Sequence, residues 1–594
     1  MAAADHETHS SAVRSRSYKD ESYLHGFLGT VCDLQKDGVL QDVVLETKGR
    51  RFPCHRLVLS AASPYFRAMF TSDMAESWQK TVVLQGMDAC MFGEILSYIY
   101  SGTIHVSMDK VQPLYQAADL LQLDYVRDTC CSYMAMNVER STCVDLYKFA
   151  DVSSVDIVRK CCLQWITRNF TEVASSEDFF SLSVNQLTEI ISHDELDVKE
   201  ETTVWEAVVR WVQHSREGRL DHLPSILPHI RFNLLTSDDT AAILEHPLVN
   251  EDPGSSEVMR NVVQTGNFNM KPRLGMTMEM VMLSDISDTA SDDLLYMNPQ
   301  NGMYITCSYD YLPDSITMTV TNDNNIYKLE NEQEDYYQLS MFKYNHAENV
   351  FEHAGMSSVS MFRREYSGLS SHWDHFLVEV DQILYYGAAD LGEGSASVRM
   401  RKYNRHSDKW EQCSQLKLEG TWRFSTALSC GPHLYILMDS AMYRYDPRQD
   451  CWCKRAPPNI TARYSTFTTV AMGTEIFCSD FDFTQTMVYD SESDRWQKLQ
   501  GWPNLENRSV YCTPSLFVLE NELHILLEVY GKQGPSTDYL VYVYDRATDA
   551  WRDLKAILPN KEYYAPNPMC PVVRMYLPYL KGAQKHITSY AYQR

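Results

Sequence analysis

No run of 18 or more apolar residues occurs anywhere in the 594-residue chain, so no helical membrane span is expected. The opening "MAAADHETHSSAVRSRSYKD" has no apolar stretch of the kind a secretory signal needs. Positive charge is scarce. Lys+Arg minus Asp+Glu is 53 − 79 = −26, with no long basic run, which argues against nucleic acid as a partner. The 16 cysteines are too sparse for a disulfide scaffold and make no CxxC pair with a second pair at zinc spacing. They read as reduced thiols in a cytoplasmic chain, with the nucleus as a second compartment, and N-x-S/T triplets at Asn169, Asn459 and Asn507 are then chance. G-x-S-x-G, H-E-x-x-H, Walker A and G-x-G-x-x-G motifs are absent, so no catalytic residue, metal or cofactor is expected. A copper-bearing propeller oxidase would need Tyr, His and Cys converging on a channel, and His shows no repeat-phased cluster.

The length asks for about three to five domains. In the first, residues 22–137, Leu24, Phe27, Leu28, Val31 and Leu34 recur at helical spacing up to Gly38. "DVVLET" and "RRFPCH" around Lys48-Gly49 read as a hairpin. Ser63-Pro64 starts a helix carrying Tyr65, Phe66, Met69 and Phe70, and "TVVLQG" (81–86) reads as a buried strand. Met74-Ala75-Glu76 therefore lies on a helix-to-strand connection. Asp88 caps a helix with Met91, Phe92, Ile95, Leu96 and Ile99 on one face, closed by Gly102.

The stretch "LQDVVLETKGRRFPCHRLVLSAASPYFRAMFTSDMAES", with "YIYSG" at 98–102, resembles the BTB (POZ) domain, an α/β fold. Residues 138–265 are helical, with Val204, Val208, Trp211 and Val212 forming a core stripe. Together with "LSVNQLTEIISHDELDVKEE" they resemble the all-α BACK domain. Residues 266–294 are polar and turn-rich and read as a linker.

Residues 295–594 repeat. An aromatic pair seven apart recurs as Tyr403/Trp410, Tyr445/Trp452, Tyr489/Trp496 and Tyr544/Trp551, with weaker copies Tyr344/Phe351 and Met297/Tyr304. Successive starts lie 47, 59, 42, 44 and 55 residues apart, and the four strong copies carry Asp five places after the Tyr. Strand, tight turn with Asp, then strand, preceded by two more strand-like runs, makes a four-stranded blade. Six copies predict an all-β propeller of six blades. The units resemble kelch repeats but carry no Gly-Gly doublet anywhere. The loop 387–397 is placed on a blade rim.

The order BTB, BACK, kelch resembles the substrate adaptors of cullin-3 RING ubiquitin ligases over about 570 residues. The resemblance implies that Met74, Ala75 and Glu76 form the cullin-docking motif, with Tyr100 as a further contact. It implies a homodimer through Leu24, Phe27, Leu28 and Val31, with Asp42 and His55 near the interface. Arg423, Arg463 and Arg508 share one phase of the repeat, and the resemblance assigns that phase to the propeller mouth. With Tyr464 and Tyr511 beside them, they offer guanidiniums to an acidic or phosphorylated degron of a protein substrate, or else pair with acids between blades. The implied role is a non-catalytic subunit with cullin-3 and its RING subunit as partners. The rival is a scaffold, for instance cytoskeleton-associated, without a ligase role.

Overall fold

The structure is a computed structural model that describes residues 22–72, 75–265, 270–285, 292–309, 312, 315–332, 337–362, 373–390, 397–418, 424–438, 441–458, 467–504, 507–531, 537–556, 558, 563–564, 570–580 and 584–587. The chain divides into two compact units, Met1–Gly275 and Met276–Arg594.

In the first unit, α1 (Tyr23–Lys36) precedes the hairpin of β1 (Val43–Thr47) and β2 (Arg50–Cys54), whose turn places Lys48 and Gly49 at φ 44° and 79°. α2 (Arg56–Ala62) follows, then α3 (Pro64–Thr71), where the Ser63 hydroxyl accepts the Phe66 N–H at 3.3 Å. A single turn at Ala75–Ser77 leads to β3 (Thr81–Val83), which pairs parallel to β1. Asp88 caps α4 (Ala89–Ser101) by accepting the N–H groups of Cys90 and Met91, and Gly102 closes it at φ 72°. One face of α4 buries Phe92, Ile95 and Ile99 on the sheet, with Phe92 edge-on to Phe52 at 5.0 Å.

Helices from Val111 to Thr265 make up the rest of this unit. Val204, Val208, Trp211 and Val212 are buried as the stripe predicts, and the Trp211 indole donates to the Leu182 carbonyl at 3.0 Å. A buried ion pair ends the unit. Arg273 donates from Nε and Nη2 to the two oxygens of Glu201, both at 2.6 Å, and both side chains are fully buried. Arg273 also donates to the Ile191 carbonyl at 2.7 Å, and Glu201 accepts the Arg231 N–H at 2.9 Å. Two residues on, Gly275 approaches so closely that a Cβ there would lie 2.5 Å from the Val198 nitrogen.

Among the described residues the second unit holds six sheets. Residues 278–285 and 292–298, placed largely in a linker by the sequence, are strands instead. The run "MVML" (280–283) is buried, and the polar flank around it hid the strand. Strands A to D run Ser315–Val320, Ile326–Asn331, Gln338–Asn345 and Val350–His353 in blade 2. They run Trp373–Val380, Ile383–Asp390, Ser397–Asn404 and Lys409–Gln412 in blade 3, so Gly387–Asp390 is strand rather than rim loop. Blade 4 has Phe424–Cys430, His433–Met438, Met442–Asp446 and Cys451–Arg455. Blade 5 has Phe467–Met472, Glu475–Asp480, Thr486–Asp490 and Arg495–Leu499, and blade 6 has Ser515–Leu519, Glu522–Tyr530, Thr537–Asp545 and Ala550–Asp553. Blade 1 is composite. Its B, C and D strands are Met278–Asp285, Asp292–Asn298 and Met303–Tyr309, while Val572–Met575 supplies strand A and Gln584–Ile587 adds a fifth strand beyond D. The inner strands of successive blades adjoin from blade 2 round to Val572–Met575, and Asn324 of blade 2 exchanges two hydrogen bonds with the backbone of Arg574, both at 2.7 Å. The ring of six thus closes on itself.

All six repeat pairs are directly facing residues of strands C and D, the two weak ones included. The fifth residue is left-handed in each blade: Gly302, Asn349, Asp408, Asp450, Asp494 and Asp549 lie at φ 47–62°. Asp and Asn tolerate that region better than other side chains. In blades 3 to 6 the same Asp accepts its own blade's Tyr hydroxyl at 2.6–2.8 Å. It also accepts an N–H from the preceding blade, at Ser357, Ser414, Ala456 or Gln500. The Trp indole donates to the carbonyl of that same residue at 2.7–3.0 Å. In blades 3 to 6 each repeat is therefore a staple holding one residue of the preceding blade by both its backbone N–H and its carbonyl.

Candidate functional site

The helix-to-strand connection of the BTB domain is held from below by Arg56, the first residue of α2. Its guanidinium donates to the carbonyls of Ser77 at 2.7 Å, Glu76 at 3.4 Å and also Gln79, and lies 4.7 Å from the Phe70 ring centre. Three carbonyls on one planar fork fix the backbone of the turn, a task for which Arg is suited and Lys is not. Asp42 accepts the Arg56 N–H at 2.8 Å and so sets the start of α2. Glu76 is half-buried on this turn; Met74 and the side chain of Ala75 lie outside the described residues. Trp78, at the end of the turn, is 83% exposed. Neither Arg56 nor Trp78 was singled out from the sequence as a site residue. No periodic spacing links Arg56 to a turn some 20 residues on.

Tyr100 does not offer a contact surface. It is 2% exposed, and its hydroxyl accepts the His55 N–H at 3.0 Å while facing His55 Nδ1 at 2.9 Å. His55 Nε2 faces the Val39 carbonyl at 2.8 Å. A carbonyl only accepts, so Nε2 carries the proton and the Tyr100 hydroxyl donates to Nδ1. Burial pushes the Tyr100 phenol above its usual range, which keeps it a donor. His55 is itself buried, so this pair is an internal strut between β2 and α4. Burial, with Asp42 adding to it, also pushes the Cys54 thiol up to about 12, leaving no nucleophile beneath the site.

The helix assigned to dimerisation has an unpartnered apolar face. Phe27 is 54% and Leu28 39% exposed, Tyr23 stacks on Phe27 at 6.2 Å, and Val31 is half-buried. The side chain of Leu24 lies outside the described residues.

In the propeller, Arg423, Arg463 and Tyr464 lie outside the described residues. Arg508 takes the second of its two sequence readings in modified form. Its side chain is 9% exposed, pairs with Asp538 and donates to the Tyr530 carbonyl at 2.9 Å, all within blade 6. It is a tie between strands B and C and not an open guanidinium. Tyr511 is half exposed, edge-on to Tyr530 at 5.2 Å.

Comparison with known proteins agrees with this architecture. The BTB/POZ domain family matches residues 32–137, and the family described as BTB And C-terminal Kelch matches 143–245. Kelch repeat and BTB domain-containing protein 2 of Homo sapiens is 27% identical over 550 residues, covering 86% of this chain and 85% of that protein. Kelch repeat and BTB domain-containing protein 8 of Xenopus tropicalis is 25% identical over 551 residues, covering 87% and 86%. Kelch-like protein 3 of Danio rerio is 38% identical over 216 residues, 36% of each chain. The solved BTB domain of human Gigaxonin is 29% identical and covers 20% of this chain and 99% of that one, with a TM-score of 0.19. With two domain families in series, near full-length relatives named for both modules, and six four-stranded blades behind them, this chain belongs to the BTB-BACK-kelch family.

Proposed function

We propose that the protein is a substrate adaptor of a cullin-3 RING ubiquitin ligase, working without a catalytic residue of its own. The observation that carries this is the turn bearing Ala75-Glu76, whose backbone Arg56 fixes by three carbonyls on the rim of a BTB domain. A preorganised turn loses little entropy on docking. Met74 fills a shallow apolar pocket on the cullin, Glu76 takes charge-assisted hydrogen bonds that set register, and Trp78 adds exposed apolar area beside them. Tyr100 and His55 act on this surface from inside, by fixing β2 against α4.

The exposed face of α1 pairs with its copy in a second chain, which brings two propellers into one assembly and raises avidity. The propeller captures the substrate, with Tyr511 and the arginines at 423 and 463 as its contacts for an acidic or phosphorylated segment. Proximity then does the chemistry, by raising the concentration of a substrate lysine near the charged conjugating enzyme.

The test is an affinity capture of the full chain, wild type beside Met74→Ala/Glu76→Lys, read by mass spectrometry. Cullin-3 present with wild type and lost from the variant is the expected result. Cullin-3 absent from both refutes the adaptor reading and leaves a scaffold, and cullin-3 retained equally by both refutes Met74-Ala75-Glu76 as its docking motif.

A further inference from the structure

The outer half of blade 4, on the side that meets blade 5, carries several buried polar atoms without a hydrogen-bond partner. Strand register sets three rows across strands B, C and D. Tyr435 faces Arg444, which faces Cys453; Leu437 faces Met442, which faces Arg455; Asp446 faces Cys451, with His433 at the adjoining end of strand B. On one face of paired strands, directly facing side chains stand about 5 Å apart and those of adjoining rows about 7–8 Å, so these groups line one patch. Against it lie Tyr489, whose ring is 6.1 Å from that of Tyr435, and Asp494.

Four buried atoms here have no hydrogen-bond partner: His433 Nδ1, Tyr435 Oη, Arg444 Nε and Arg455 Nε. Tyr435 is fully buried. An arginine Nε–H can only donate, so whatever satisfies these groups must be an acceptor with several lone pairs. The Arg444 guanidinium lies near enough to Tyr435 to lower its phenol against the pull of burial, yet makes no well-formed hydrogen bond to it. The neighbouring carboxylates are already engaged. Asp446 accepts the N–H groups of Arg448 and Gln449 at 2.9 and 3.4 Å. Asp494 accepts the Tyr489 hydroxyl at 2.8 Å, the Ala456 N–H at 3.4 Å and Arg455 Nη1 at 3.4 Å. Arg444 has no ion pair among the described residues. After burial, Arg444, Arg455 and Arg448 hold the His433 imidazole below the usual histidine range, against the opposing pull of Asp446. Two guanidiniums, those of Arg444 and Arg455, thus stand on one blade face in a chain whose net charge is −26.

We infer that this inter-blade patch is a binding site for a small oxoanion of the phosphate and sulfate class, held by Arg444, Arg455, Tyr435 and His433. The anion supplies the acceptors that two guanidinium Nε–H groups and a phenol require, and joins blade 4 to blade 5 where their outer strands meet. Its small size follows from the setting, since all four partner atoms are closed off from solvent between two packed sheets.

The test uses the full chain in a chloride buffer, with inorganic phosphate added at matched ionic strength and the propeller transition followed by calorimetry. A saturable rise in transition temperature is expected. Arg444→Met should weaken phosphate about tenfold or more, and Tyr435→Phe, which keeps the packing, by several-fold. Arg546→Met, at an exposed ion pair with Glu475, should respond as wild type. No saturable rise, or an equal rise in Tyr435→Phe and wild type, overturns the inference. So does a crystal grown in phosphate that shows only waters at the patch. If Arg444→Met fails to fold, Tyr435→Phe carries the result.

Discussion

Replacing Arg273 by Met tests how the first unit is held together at its end. The change leaves Glu201 fully buried and unpaired, and it orphans the Ile191 carbonyl. Breaking a buried ion pair from one side costs about 3–5 kcal/mol, because the remaining charge stays out of water. For a unit of this size a kilocalorie shifts the transition by about 2–4 °C, so a fall of roughly 6–20 °C is expected in the transition of the BTB-BACK unit. Glu201→Met should cost a similar amount. The double variant removes both charges and keeps the volume, so its loss should be well below the sum of the singles. What remains is the Arg231 N–H and the carbonyl left without a partner, about 1–3 kcal/mol each. Scanning calorimetry of the four proteins closes the cycle. Singles that lose less than about 1 kcal/mol, or a double that equals their sum within about 0.5 kcal/mol, would refute the reasoning.

Asp450→Ala removes the acceptor for Ser414 N–H and Tyr445 O–H and puts Ala at φ 48°, so urea melts should show a propeller weaker by about 1–3 kcal/mol. Asp450→Asn, which copies Asn349 of blade 2, should lose markedly less. Burial lowers the His375 imidazole from 6.5 to about 4. A depressed folded-state pKa means that its contribution is present above pH 6.5 and lost as pH falls through 4. The full 6.5 − 4 = 2.5 pH units is worth at most about 3 kcal/mol, and His375→Gln should flatten that part of the pH–stability curve. Arg56→Lys keeps the charge but loses the three-carbonyl fork, so cullin-3 capture should fall at least several-fold with little change in melting temperature. Phe27→Glu with Leu28→Lys should give a monomer by light scattering at micromolar concentration; a variant dimer would remove α1 from the interface.

Where local chemistry sets local structure, the sequence was a sufficient guide. Ser63, Asp88 and Gly102 mark helix ends, and a Tyr with Asp and Trp at fixed distance marks a hairpin, because each acts within a few residues of itself. Even Met297/Tyr304 could be placed, since the turn between them needs a left-handed residue and Gly302 supplies it. What the sequence hid is what joins distant segments. Arg273 and Glu201 lie 72 residues apart, and strand A of blade 1 comes from Val572–Met575, which carries no copy of the repeat. Tyr100 was misread for a related reason. An aromatic residue with a polar tip looks the same in sequence whether the tip meets a partner or His55.

The composite first blade also sets a clock. Met278 is made almost 300 residues before Met575, the last residue of the strand that pairs with it. At about 5–20 residues per second, roughly 15–60 s pass during translation in which blade 1 has no inner strand. The BTB and BACK units, encoded first and closed by Arg273, have all their residues in hand throughout that interval. The first unit is therefore complete while the propeller is still an open ring. With α1 as the proposed pairing surface, two chains on neighbouring ribosomes would pair before either propeller exists.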